Sequence, residues 1–286
     1  MRYQTSSNTQ DTRFDALREK EATIRHANFD DTSSLESAFA ECDKLFLVST
    51  PRISMDYNDA PLWKGREAHH RAAIDAALKA RVKHIYYTSL AFANPSKAAV
   101  MRAHIRTEKY LNGLAREGKV QVTILREGLY NESWPLYFGY YHGLQDEKRT
   151  HVVVAGDGPI SWTDIPDMAF VTAKIITASS EAWAGKTLYL SQQKSWSLED
   201  VARMVSRAKG EDVSLAVVSR KEFEDHYACL GVERASVEWW SSTYDALKDG
   251  ECDINDVTLT NILREAGRTP KSLDITIEEM MTRNSG

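Results

Sequence analysis

The sequence predicts an α/β fold: a parallel sheet flanked by helices, followed by a smaller and mostly helical C-terminal lobe. Three observations predict it. The run "KLFLVSTP" (44–51) is short and nearly continuously apolar, "VKHIYYTSL" (82–90) reads as another buried strand ending in hydroxyls, and "VQVTILREG" (120–128) as a further strand. Strands covered on both faces of a parallel sheet read this way. Segments with apolar residues at helical spacing separate the runs, and strands alternating with helices imply βαβ units.

The elements follow in order. The opening "MRYQTSSNTQ" is polar and unpatterned, and "RFDALREKE" (13–21) reads as an exposed helix. "TIRHANF" (23–29) carries β-branched residues and reads as a short strand. "DDTSSLESAFAEC" (30–42) starts with capping residues and spaces Leu35, Ala38 and Phe39 as a helix does. After the 44–51 strand, 63–80 is helical, with Ala72, Ala73, Ala76, Ala77 and Leu78 inward. A helix over 99–118 closes on Gly118, a C-terminal cap signal. The tract 134–150 is aromatic and then polar, the composition of a mobile flap. "AGDGPISWTDIPDMA" (155–169) has only a G-x-G pair and no immediate helix, so it reads as a turn rather than a phosphate loop. "KTLYLS" (186–191) is a further strand. From Ser197 the pattern is helical apart from "VSLAVVS" (213–219). This divides the chain into a main domain, 1–191, and a smaller lobe, 192–286.

Composition excludes several classes of function. The 286 residues carry a net charge of −5, which offers no basic field to nucleic acid. No apolar run approaches the ~20 residues of a membrane span, and no apolar core suits a signal peptide. Cys42, Cys229 and Cys252 are far apart and make no metal spacing. A sparse, odd set fits a reducing, cytoplasmic setting. His69-His70 has no zinc-ligand partners at the right spacing, and reads as one surface and one buried imidazole. Trp239, Trp240 and Tyr244 read as packing residues.

Ligands of open parallel sheets bind beyond the carboxyl ends of the strands. Those ends carry Ser49-Thr50-Pro51, Thr88-Ser89, and Leu129-Tyr130-Asn131-Glu132. Hydroxyls, an amide and aromatics together suit a nicotinamide, its ribose and a small polar-aromatic substrate. The alternative is that each Ser or Thr caps the next helix. His104 and Glu108 stand i and i+4 on one helix face. His104 is either a donor to cofactor or substrate, or a surface histidine paired with Glu108.

The order "ATIRHANFDDTSSLESAFAECDKLFLVSTP", "AAIDAALKARVKHIYYTSL", "AHIRTEKYL", "VTILREGLYNES", "AGDGPISWTDIPDMA" resembles the NmrA-like family of atypical short-chain dehydrogenases, and within it the quinone-oxidoreductase branch. The likeness runs from about residue 13 onward and is weaker after 196. It implies a Rossmann-like fold that binds NADP, with NAD as the alternative. Carried over by the resemblance, Asn28 and Phe29 contact adenine, and Ser49, Thr50 and Pro51 lie beside ribose and diphosphate. His104 takes the place of a cofactor-binding lysine, and Leu129, Tyr130, Asn131 and Glu132 flank the nicotinamide. Ser133 departs from the usual asparagine. Val100 stands where ordinary short-chain dehydrogenases have their tyrosine, so proton donation falls to His104, Tyr130 or Ser89.

The family opens with a strand, a G-x-x-G-x-x-G turn, a helix, and a second strand ending in arginine. This chain shows none of the first three, and Arg2 stands as the remnant of that arginine, meeting a 2′-phosphate. The comparison implies an N-terminal truncation of roughly 35–40 residues, one βα unit. Strand 44–51 would then have an open edge unless 23–29 pairs with it directly. The implied function is an NAD(P)-dependent oxidoreductase on a small carbonyl, quinone or iminium substrate, in secondary metabolism. A non-catalytic dinucleotide sensor that binds a protein partner, and an inactive truncated product, are the alternatives. A homodimer is compatible with either of the first two.

Overall fold

The strand that organises the fold is β4 (His84–Leu90), as seen in a computed structural model that describes residues 3–6, 8–141, 144 and 147–283. Its apolar run is buried over nearly its whole length. It pairs in parallel with β3 (Lys44–Leu47) on one side and β5 (Gln121–Glu127) on the other, and β7 (Thr187–Leu190) completes the order β3-β4-β5-β7. The registers Tyr87↔Ile124 and Leu125↔Leu188 set which side chains share a face.

Alternation across the pleat then sorts the core into two layers. Ile85, Tyr87 and Ile124 face α3 (Glu67–Lys79) and α4 (Val100–Arg116), where they meet Ala73, Ala77 and Leu111. Tyr86, Leu125 and Leu190 face α6 (Ile165–Thr177) and α11 (Thr258–Glu265). The two helix pairs cover opposite faces, as burial of both faces of β4 and β5 requires. Gly118 adopts the left-handed conformation just after α4, as its cap position predicts.

The N-terminal region differs from its expectation. The stretch read as unpatterned contains β1 (Tyr3–Ser6), paired in parallel with β2 (Thr23–His26). Arg2 lies outside the described residues. The exposed helix shrinks to a 3-10 turn and α1 (Asp15–Arg18). Strand β2 does not close onto β3: β1-β2 is a sheet of its own. Helix α2 (Thr32–Phe39) crosses from β2 to β3 and leaves a groove of about 670 Å³. Phe29, Ala38, Phe39, Leu45 and Leu47 line it. Among the described residues no strand pairs with the outer edge of β3, where Phe46 is 38% and Val48 56% exposed.

The lobe draws on both sides of residue 192. Strand β6 (His151–Val154), which adjoins the tract read as a flap, pairs in parallel with β8 (Ser214–Val217). Helix α5 (Trp134–Tyr137) packs from that tract into the lobe core. So do α8 (Leu198–Lys209), α9 (Arg220–Cys229), α10 (Arg234–Lys248) and α12 (Leu273–Arg283). Short α7 (Ser180–Trp183) leads into β7. The G-x-G pair is a packing turn: a Cβ on Gly158 would overlap the Leu247 carbonyl of α10.

The open β3 edge generates a prediction. An exposed apolar edge is a template for self-association, and lysine blunts it. Val48→Lys should lower light scattering on concentration and leave the melting temperature nearly unchanged. Unaltered scattering would show that this edge does not drive association.

Candidate functional site

The site is built at the carboxyl ends of β2 and β3. Four residues expected to hold a nucleotide, Asn28, Phe29, Thr50 and Pro51, line the groove together. Phe29 stacks on His69, with ring centroids 5.2 Å apart and planes within 3°. Asp30 receives both ends of the Arg52 guanidinium at 3.0 and 2.7 Å and meets His69 Nε2 at 3.1 Å. Hydrogen bonding to Arg52 holds the Asp30 carboxyl below its ordinary range. No sequence pattern singles out Arg52 as a site residue, and the only signal for His69 is the His69-His70 pair, whose spacing speaks only against metal. Both imidazoles are buried, not one: His69 lies under Phe29 at the rim and His70 under the loop 49–52.

Ser49 is set back from the groove. Its backbone N–H donates to Thr88 Oγ1 at 2.9 Å and its hydroxyl lies 3.1 Å from His70 Nε2. Behind it runs a polar network through the α3–α4 layer. The Thr50 N–H donates to His70 Nε2 at 3.2 Å, so that nitrogen carries no proton. The Nδ1–H of His70 therefore donates to Thr107 Oγ1 at 2.8 Å, and Thr107 donates to the Ala103 carbonyl. Tyr87 donates to His104 Nδ1 at 2.9 Å, which leaves the His104 N–H for the Thr88 backbone carbonyl.

His104 is thus neither on the surface nor paired with Glu108. Glu108 accepts from Arg126 at 3.0 and 2.7 Å and from Ser89 Oγ at 2.6 Å, all buried. Arg126 also donates to Tyr189 at 2.6 Å. Ser89 and His104 are consumed by internal hydrogen bonds. Tyr130 belongs to the other face of the sheet, packed against the α6 layer, and donates to Glu127 Oε2 at 2.6 Å. His104 and Tyr130 therefore do not share one cleft. Burial, opposed by the Tyr130 hydrogen bond, pushes the Glu127 carboxyl up to about 6. Asn131 is fully buried and donates to Thr276 of α12, and Glu132 accepts from the Ile165 backbone at the start of α6. Leu129 packs into the lobe core.

The groove fits a nucleoside better than a diphosphate. It offers a stacked ring pair, an amide and a hydroxyl at one end. Among its described lining residues there is no glycine. The first amides of α2, at Ser33 and Ser34, are taken by the side chain of Asp31. A diphosphate normally uses such amides.

Known proteins share this fold. The NmrA-like family model matches residues 1–236. The chain belongs to the NmrA-like family. It is 27% identical over 267 residues to the NmrA-like family domain-containing oxidoreductase flvB of Aspergillus flavus, spanning 91% of this chain and 80% of that protein. It is 30% identical over 219 residues to quinone oxidoreductase 2 of Escherichia coli, spanning 76% and 69% respectively. The structure of the NADPH-dependent quinone oxidoreductase of Escherichia coli in complex with NADPH superposes with a TM-score of 0.79 at 25% identity, over 97% of this chain and 89% of that one. Triphenylmethane reductase from Citrobacter sp. shares the fold at a TM-score of 0.77 and 24% identity, over 97% and 90%.

Two predictions follow from the buried groups. Burial pushes His70 down to about 3 and His84 to about 4, and His104 well below its ordinary value of 6.5. The unfolded chain takes up protons near pH 6.5 that the folded chain refuses, so stability falls with pH from there. Glu127 opposes this only between its ordinary 4.5 and about 6. Each depressed imidazole should cost about 2 kcal/mol between pH 6.5 and 5. Urea unfolding at pH 7.5 and 5.0 measures it, and equal stability would contradict neutral imidazoles. Separately, Glu108→Ala would leave Arg126 buried without its partner and should cost about 3–5 kcal/mol in the same assay.

Proposed function

We propose that the chain is an NADP-dependent oxidoreductase acting on a small carbonyl, quinone or iminium compound, in the cytoplasm and in the setting of secondary metabolism. The observation that carries this reading is the groove rim, where Asn28, Phe29, Thr50 and Pro51 gather around the Phe29–His69 ring pair. The NADPH-bound relative and the oxidoreductase relatives support it.

In this reading the rim holds the adenosine end, with Phe29 and His69 against the base and Thr50 beside the ribose. NADPH, when bound, supplies a hydride. Of the three residues expected to donate a proton, Tyr130 is the one that is not fully buried. Its hydroxyl is backed by Glu127, whose carboxyl is pushed up to about 6 and so holds a proton near neutrality more readily than an ordinary glutamate. Strands β3 and β5 are two steps apart in the sheet, about 10 Å, so in this reading a ligand that joins the adenosine rim to Tyr130 passes over the carboxyl ends of the strands from one face of the sheet to the other. Among the described residues no free run of amides lines the groove for the diphosphate, so the expected NADPH affinity is low.

A second reading, a dinucleotide sensor without turnover, is favoured by the burial of Ser89 and His104. Calorimetric titration with NADPH, followed by turnover of a quinone, iminium and carbonyl panel, separates the two. The expected result is a dissociation constant weaker than micromolar, measurable turnover, and a loss of about 10²-fold or more in kcat for Tyr130→Phe. NADPH binding with no turnover across the panel would support the sensor. No binding at millimolar NADPH would overturn both.

A further inference from the structure

We propose that His69 and His70 are positioning residues that clamp the loop 49–52 through Thr50 and so set the shape of the groove rim. This rests on reading the groove as a nucleotide site. Consecutive helical residues point about 100° apart, so one turn of α3 sends one ring to the rim and the next beneath it. The lower ring, His70, accepts the Thr50 N–H at 3.2 Å. The upper ring, His69, meets Thr50 Oγ1 through Nδ1 at 3.3 Å and Asp30 Oδ1 through Nε2 at 3.1 Å. Arg52 then returns to Asp30 with two hydrogen bonds. The two loops that form the rim are thereby closed into one ring of contacts: Asp30, His69, Thr50, Arg52.

The lower ring is itself fixed. Thr107 and Tyr87 meet His70 Nδ1 at 2.8 and 3.2 Å, and Ser49 and Thr50 occupy Nε2, so the imidazole can neither flip nor change tautomer without breaking a buried bond. Neither histidine has a free nitrogen for substrate, so the role is positional, not catalytic.

The test compares His70→Leu with His70→Gln, whose amide oxygen can accept the Thr50 N–H. His70→Leu should raise KM and the dissociation constant for NADPH about tenfold and leave kcat nearly unchanged. His70→Gln should recover most of that loss. Nitrogen NMR of the wild-type protein should show His70 protonated at Nδ1 and bare at Nε2. The Thr50 amide should exchange slowly in the wild-type and His70→Gln proteins and fast in His70→Leu. If His70→Leu fails to fold, Thr107→Val carries the test, because it removes the acceptor that holds His70 Nδ1; the Thr50 amide should then exchange faster and KM rise several-fold. A folded His70→Leu protein with unchanged KM and a protected Thr50 amide would overturn the clamp, as would a proton on Nε2. If the wild-type chain binds no NADPH, the functional reading falls, while the amide exchange and the tautomer still decide the clamp.

Discussion

Everything near the groove depends on the pairing of β4 with β3. Strand β4 is buried on both faces and hydrogen-bonded on both edges, so its carboxyl end has one position. β3 inherits that position through a four-residue ladder. It has no second strand to lean on among the described residues. Two further ties compensate. Lys44 reaches across to the Ile176 and Ala178 carbonyls at the end of α6, both at 2.8 Å. At the other end, Thr88 of β4 takes the Ser49 N–H and His70 takes the Thr50 N–H. A strand with one free edge is thus held at both ends by side chains doing what a neighbouring strand would otherwise do.

This division explains what the sequence could and could not reveal. Strands β3, β4, β5 and β7 are legible because each carries clustered apolar and β-branched residues between polar or turn segments, and in β4 and β5 most of these are buried. β1 is not, because "YQTS" has neither an apolar run nor a clean alternation. β6 is hard to read because "HVVV" is only four residues long and its parallel partner β8 lies more than sixty residues on. The helices α2, α3 and α4 are a few residues shorter than their sequence patterns predict. For 30–42 the reason is local: the Asp31 cap starts the helix late and Ala40 leaves it in an extended conformation.

The candidate site shows the same limit at the level of single residues. Spacing placed His104 and Glu108 on one face of α4, and they are, but it could not say that this face is the inward one. Turned inward, each finds a partner from a different strand: Tyr87 of β4 for His104, Arg126 of β5 for Glu108. The residues that did gather at the groove, Asn28, Phe29, Thr50 and Pro51, are those just past the ends of β2 and β3, where position along the strand alone decides exposure. Arg52 and His69 joined them through Asp30, a contact between loops 22 and 39 residues apart that no local pattern encodes.

The choice of imidazole in the layer behind the rim has a physical reason. The site to be filled lies between a backbone N–H, which needs an acceptor, and a threonine hydroxyl already committed as a donor, which can only accept. A neutral imidazole presents one acceptor and one donor on opposite sides of a rigid ring, and meets both needs at once. A carboxylate would meet the first and repel the second. A charged amine would do the reverse, and either would pay the desolvation of a buried ion. The two arginines nearby do not change this, because each brings its own carboxylate: Arg66 with Asp56 at 2.7 Å, and Arg126 with Glu108. Their residual positive field only pushes His70 and His104 further toward the neutral form. Neutrality of the rings and pairing of the arginines are therefore one arrangement, and the shape of the groove rim rests on it.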